Sequence, residues 1–577
     1  MKRFSMLAVL VSLAAMSWAE TTTERIEQAL ASGTISTPEA VAFYIWSVTE
    51  PGRLPEELTA GTEADPCGTP AFDAAFALLP LLSESELADV TPLLARPTLS
   101  GPELTYDTPG GHFKIHYTTS GEDATNTAWV YHISDGMDES WATEVDEMDW
   151  DAPPSDLGLG GDNKYDVYIM ALDPGTMGYC SSGGEPPDPS TPEADYASHI
   201  AMSNNESYGS DQMLETCSHE FQHAIQAGYE AAEPSWFKEN CAVWMQNEVW
   251  TTNHYADYLH TGENCLYRPW FDIRSGAMYH YGASPWPMYM EVRCGGQEVV
   301  REVWENCAAV VGANMLDAIE TTAENHGMTF LEWLAEYTCW RWFTGNRADN
   351  EHYLYEESSL WTPGAYIFSY HNVNTLPWSG DEGVYPPDTY GNHWIRVNVT
   401  SYQGWITAAF DGRDNMDFHF GVILTAADGN DQFGYYTVTD PSATLTIGVN
   451  TTGWEYAVFF VQSITDTSLD QLYDLSVTYQ TGVEGGGQPE FTAPSIATSS
   501  NPFSSGEILL DIPEGGFTTI SLYDLSGRLV ETIFTGNLDQ GLHSMSWDAS
   551  YLGSGAYFLR LSAPGGGSTQ RIVVEHP

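Results

Sequence analysis

Cys217-Ser218-His219-Glu220-Phe221-Gln222-His223-Ala224-Ile225-Gln226 is the stretch on which the reading of this chain turns. It contains His-Glu-x-x-His. On a helix, His219 and His223 lie one turn apart on one face, so two imidazoles can converge on one zinc ion. Glu220 sits beside that face, within reach of a water held there. Zinc lowers the pKa of such a water to about 7, and Glu220 can then take its proton as general base while the water attacks a carbonyl. With 16 histidines in 577 residues, the motif arises by chance somewhere in such a chain with a probability of roughly 0.03. Its flanks, Met213-Leu214 and Ala224-Ile225, suit a buried amphipathic helix.

Zinc requires a third protein ligand. A His-x-x-Gly-x-x-His extension is excluded, because Gln226 and Tyr229 stand where Gly and His would be. The remaining class uses a Glu from a following helix. Residues 234–245 (PSWFKENCAVWM) read as that helix, with Pro234 near its start. Glu239 follows His223 by 16 positions, which leaves room for a turn and an antiparallel return. Glu239 is the expected third ligand, with Glu233 and Glu248 as alternatives.

Moving outward from the motif, residues 104–120 contain an alternating strand around Gly111–Tyr117. His112 and His116 within it are ordinary strand residues, since that spacing places them about 13 Å apart. Residues 165–170 and 199–202 read as further strands, and 211–345 as helical. Residues 20–100 also read as helices, broken at Pro80 and Pro92. From about 365 to 480, short alternating segments separated by Gly, Asp and Asn indicate a β-sandwich. Residues 481–499 form a Gly/Pro/Ser/Thr linker, and 500–577 hold a last set of short strands. The expected fold class is α+β. The expected domains are 20–103, a helical pro-region; 104–350, the catalytic domain; 351–480, the sandwich; and 500–577.

Composition narrows the function. Lys plus Arg total 19 against 80 Asp plus Glu, a net charge of −61. Phosphate backbones require basic surface, so nucleic acid is not a partner. The charge suits solubility outside the cell, or a salty medium. Met1-Lys2-Arg3, the apolar run Phe4–Trp18 and small residues at Ser17 and Ala19 read as a signal peptide over 1–19. No other apolar run approaches the roughly 20 residues of a membrane span. Eight cysteines, all between 67 and 339, point in an exported chain to disulfides, with 105 complete pairings open. Cys217 and Cys241, beside the two ligand helices, are one pair that can be bridged.

HEFQHAIQ followed by SWFKENCAVW resembles the zincin peptidases whose third ligand is Glu. Residues 62–345 resemble, more closely, a family of large secreted bacterial proteins assigned as zinc metalloproteases. Their landmarks here are CGTPAF (67–72), GGHFKIHYTTSG (110–121), YDVYI (165–169) and LEWLAEYTCWRWFTG (331–345). The resemblance implies a zincin-like fold, Zn2+ held by His219, His223 and Glu239, Glu220 as base, and a protein or peptide substrate. Asn240 stands where relatives often carry a small residue. An oxyanion stabiliser is expected from Tyr279, His280 or Tyr281, with aromatic core packing the competing role for this cluster. Asp65-Pro66-Cys67-Gly68-Thr69-Pro70 resembles the cysteine-switch segment of some secreted metalloproteases, whose thiolate occupies the zinc. The class is otherwise different, so a disulfide is the expectation for Cys67.

The C-terminal motifs Asn501-Pro502-Phe503, ISLYDLSGRLV (520–530), GLHSMSWD (541–548) and GAYFLRL (555–561) resemble the sorting domain of the type IX secretion system, a small immunoglobulin-like sandwich. That implies the secretion machinery as a partner, and release or outer-surface attachment. Arg528 and Arg560 would serve that machinery or pair with Asp524 and Asp548. The competing function is a non-catalytic surface protein, adhesive or glycan-binding, built on a degenerate zincin fold. The 20 tryptophans suit sugar stacking, although many fall in the helical region.

Overall fold

The computed structural model describes residues 20–575, apart from 188–194, 253, 311, 313, 349–351, 353–355, 362–369, 382–384, 428, 468–470, 481–490 and 526–527. The signal peptide expected at 1–19 lies outside the described residues. The fold is α+β.

Five N-terminal helices come first: α1 (Thr22–Ala31), α2 (Thr37–Thr49), α3 (Glu56–Thr59), α4 (Thr69–Leu78) and α5 (Glu84–Val90). Their starts follow from local chemistry. Thr21 with Glu24, Ser36 with Glu39 and Ser83 with Glu86 form capping boxes, which satisfy backbone N–H groups that the first helical turn leaves open. Pro80 and Pro92 each open a short 3₁₀ turn after a helix, as expected from a residue that cannot donate to the ladder.

A five-stranded sheet follows: β1 (Leu104–Asp107), β2 (Phe113–Tyr117), β3 (Tyr165–Met170), β4 (Gly178–Ser181) and β5 (His199–Ser203), in the order β1-β2-β3-β5-β4. β2, β3 and β5 run parallel, and β4 is an antiparallel edge on β5. Alternation along the strands splits their side chains between two covers. Phe113, Ile115, Val167, Ile169, Ile200 and Met202 share the core of the helices that follow the sheet. Tyr168, Tyr179 and Ala201 face the N-terminal helices, with Phe72 of α4 stacked on Tyr179 at 4.3 Å. The helical segment expected as a pro-region is therefore the second cover of this sheet.

On the first face lie α6 (Thr127–Trp141), α7 (Ser210–Glu230) and α8 (Ser235–Val249). Asn126 caps α6 by accepting from the N–H groups of Ala128 and Trp129. Gly136 lets α6 approach α7, since a Cβ there would stand 2.7 Å from Cys217 Sγ. Phe221 anchors α7 to the sheet among Phe113, Trp141 and Tyr165, with ring centroids 5.2, 5.6 and 6.3 Å away. Burying such a ring contributes about 1.5–3 kcal/mol. Further helices, from Tyr255–Leu259 to Phe330–Trp342, complete the domain.

The C-terminal half holds the two expected sandwiches, each with its own core, but they share one sheet instead of standing apart on a linker. Strands 392–398, 418–425, 431–438 and 456–463 are joined through 566–574 to strands 516–523, 529–538 and 555–563 in one nine-stranded sheet. The junction pairs Asp431–Gly434 with Gly566–Thr569. Within the expected linker, Phe491 is buried in the sandwich core and Ser495–Thr498 is a strand; residues 481–490 lie outside the described residues. Two central strands are buried on both faces. Val422, Phe459 and Val461 enter the sandwich core, whereas Ile423, Val458 and Phe460 join the core of the helical region.

Disulfides are absent among the described residues: all eight cysteines are free thiols. Seven are buried, and several have separate packing partners. Cys217 Sγ lies 3.8 Å from the Ile133 carbonyl, Cys265 Sγ accepts from the Tyr337 hydroxyl, and Cys307 meets Met315. Cys217 and Cys241, the pair that could be bridged, are not joined.

Candidate metal centre

α7 and α8 pack as an antiparallel hairpin. This return brings Glu239 opposite the two histidines. His219 Nε2 lies 3.1 Å from Glu239 Oε2, His223 Nε2 lies 3.1 Å from Glu239 Oε1, and the two Nε2 atoms are 3.2 Å apart. Cys67 Sγ completes a set of four donor atoms that all lie within 4.8 Å of one another, every residue buried. Two imidazoles, a carboxylate and a thiol at this spacing suit a tetrahedral Zn2+ with bonds of about 2.0–2.3 Å. The donor set fits the ion.

The alternative ligands are used elsewhere. Glu233 accepts from the Asn314 and Met315 N–H groups and so caps helix 315–325. Glu248 lies two and a half turns beyond Glu239, in the half-buried end of α8.

Supporting contacts surround the donors. His223 Nδ1 is 2.8 Å from Gln226 Oε1, and Gln226 Nε2 donates to the Lys238 carbonyl at 3.1 Å. That chain fixes the Nδ1–H tautomer and leaves Nε2 for a metal. Gln226 entered the sequence reading only as the residue that is not glycine; its position on the next turn after His223 was the available signal. Asn240, the departure from the family pattern, donates to the His280 carbonyl at 2.8 Å and ties α8 to the 278–281 turn.

Glu220 is buried beside the donors. Burial pushes its carboxyl up to about 7, with Glu239 adding to the rise and His219 opposing it. Burial acts on Glu239 in the same direction, but the charges and hydrogen bonds of His223 and His219 outweigh it and hold that carboxyl low. Burial, with Glu220 and Glu239, pushes the Cys67 thiol well up in the metal-free cluster.

Of the expected oxyanion candidates, His280 and Tyr281 reach the centre. Burial lowers His280 to about 4, so the ring is neutral, and neither ring nitrogen has a hydrogen-bond partner among the described residues. The Tyr281 ring is 6.3 Å from that of His219, and its hydroxyl donates to the Cys67 carbonyl at 3.5 Å. Tyr279 instead packs on Phe271. Tyr258, not anticipated, stacks on Tyr281 with centroids 5.2 Å apart. Of the two strand histidines, His112 stacks on Trp141, and His116 bridges Glu103 and Asp166.

Arg528 pairs with Asp524, at the protein surface. Arg560 does not pair with Asp548. It lies over the Trp340 ring at 3.6 Å and reaches Glu336 of the helical region at 3.3 Å. Asp548 instead accepts from the Ser550 N–H.

Residues 501–575 match the family described as the secretion system C-terminal sorting domain. No curated protein matches the chain. Among solved structures, a secreted protein from Parabacteroides distasonis is 8% identical over 32% of this chain and 74% of its own, with a TM-score of 0.13, too slight a likeness to bear on fold. The sorting domain marks the chain for the type IX secretion machinery, and the protein is secreted or held at the cell surface. No helix among the described residues is long and apolar enough to cross a membrane.

Proposed function

We propose that this protein is a secreted zinc-dependent endopeptidase with a zincin-like catalytic domain, which hydrolyses peptide bonds with Glu220 as general base. One observation carries the reading: the convergence of His219, His223 and Glu239, from two consecutive helices, on a point beside the Glu220 carboxylate. The mixed five-stranded sheet with antiparallel strand β4 at its edge, beside these helices, agrees with it.

Zn2+ at this point would supply Lewis acidity to a water and to a substrate carbonyl. His219, His223 and Glu239 would hold it, and Gln226 would orient His223. Glu220, buried beside the donors, is placed to accept a proton and return it to the leaving amine. His280 and Tyr281 are the groups available to stabilise the oxyanion. An extended peptide could add to edge strand β4, whose outer backbone groups Pro66–Thr69 now occupies.

The glycan-binding alternative has less support, because Trp244, Trp286, Trp304, Trp333 and Trp340 of the helical region and Trp394 of the sandwich are almost fully buried, which leaves it the half-buried Trp378, Trp405 and Trp454. The test is Glu220→Gln in a chain active on unfolded protein. It should lose about 10²–10⁴-fold in rate while keeping its zinc. Undiminished hydrolysis by Glu220→Gln would exclude the mechanism.

A further inference from the structure

The geometry points to a built-in latch: the segment Pro66–Thr69 closes the proposed catalytic centre, with the Cys67 thiolate as fourth ligand of the metal and Thr69 holding the general base. The inference rests on the metal centre proposed above and adds how that centre is kept silent.

The latch starts from strand pairing. Pro66–Gly68 runs along the free edge of β4: the Met177 N–H donates to the Pro66 carbonyl at 2.9 Å, and the Gly68 N–H to the Gly178 carbonyl at 2.8 Å. Cys67 and Gly178 form a parallel bridge. The segment thus occupies the backbone groups an extended substrate would use.

From that backbone, every nearby candidate group but His280 is engaged. Cys67 Sγ stands among the three other donors within 4.8 Å and lies 3.6 Å from Glu220 Oε2. The Thr69 hydroxyl donates to the same Glu220 oxygen at 3.1 Å and accepts from the Cys180 N–H at 2.9 Å. The Tyr281 hydroxyl donates to the Cys67 carbonyl. A thiolate is a strong zinc ligand and completes a closed, four-coordinate site, whereas hydrolysis requires an open position.

The N-terminal helices hold the latch down. Lys238 of α8 pairs with Asp73 of α4 at 3.1 Å. Arg96, where the N-terminal unit ends, meets Asp156, Asp166 and Glu185 of the catalytic domain. Opening therefore requires Pro66–Thr69 to leave β4: losing the thiolate favours that step, and proteolytic removal of residues before the catalytic domain makes it permanent. The departing thiolate takes a proton from solvent, and a water takes its place.

Cobalt(II) loading of the full secreted chain tests this. Sulfur-to-cobalt charge transfer absorbs in the near ultraviolet and reports a thiolate ligand directly. The parent should show this band with about one cobalt per chain. Cys67→Ser, with Cys67→Ala as a second variant, should keep the cobalt and lose the band. With zinc in place of cobalt, either variant should cleave labelled unfolded casein at least about tenfold faster than the parent, since the open state is no longer a minor fraction. Bound cobalt with no band in the parent, or a band that survives both substitutions, would overturn the latch and leave the three-ligand centre standing. Loss of the band with no gain in cleavage would overturn the latency and leave Cys67 a ligand only. Failure to bind cobalt at all would overturn the centre itself, and the latch with it.

Discussion

Gln226 Oε1 accepts a hydrogen bond from His223 Nδ1 at 2.8 Å, while the Gln226 amide donates to the Lys238 carbonyl one residue before Glu239. One side chain thereby ties together the two helices that carry the donors. Outer-shell partners of this kind are worth 10–100-fold in metal affinity. Gln226→Leu should weaken zinc binding by about that factor, read by competition with a chromogenic chelator. Unchanged affinity would mean that His223 is oriented by packing alone.

Gly178 sits where β4 passes Glu220, and a Cβ there would stand 2.8 Å from Glu220 Cγ. Gly178→Ala should destabilise the fold by about 1–3 kcal/mol through overpacking, seen as a lower Tm. It should also reduce kcat more than zinc content, since the displaced group is the base rather than a ligand.

Asp166, on β3, provides a pH signature outside the donor cluster. Burial would raise its carboxyl, but His116 and Arg96 outweigh burial and hold it low. Burial would likewise lower His116, but Asp166 and Glu103 hold it up. Stability from a depressed carboxylate is lost as pH falls through its folded pKa, and stability from a raised histidine is lost as pH rises through its own. The pair is strongest between the ordinary Asp and His values, about 4 to 6.5. Asp166→Asn should therefore lower Tm more at about pH 5.5 than at about pH 8.5. An equal loss at both would show that His116 does not titrate against Asp166.

Glu336 links the sorting domain to the helical region. It accepts from Arg293 at 3.0 Å, from Arg560 at 3.3 Å and from Ser562 at 3.0 Å, all buried. Removing one partner of a buried pair costs about 3–5 kcal/mol. Arg560→Ala should reduce hydrogen-exchange protection where Asp431–Gly434 pairs with Gly566–Thr569. Retained protection would make the strand junction independent of this pair.

What could be read from the sequence depended on distance along the chain. His219, Glu220 and His223 share one helix, so their spacing alone sets their geometry. Glu239 was reachable because a short turn forces the antiparallel return of α8. Cys67 lies 153 positions from Glu220, and only its strand addition to β4 brings it there; an even cysteine count argued for disulfides that the folded chain does not make. The continuous nine-stranded sheet was equally hidden. Val458, Phe459 and Phe460 form one apolar run, and alternation cannot show that such a strand serves two cores at once.

Zinc per chain, measured by elemental analysis after dialysis of a Cys67→Ala parent and of its Glu239→Ala variant, tests the central claim most directly. The account predicts about one zinc in the parent and loss of most of it in the variant, as for a site that loses one of its protein ligands. A parent that retains no zinc, or a variant that retains all of it, would contradict the assignment of this centre.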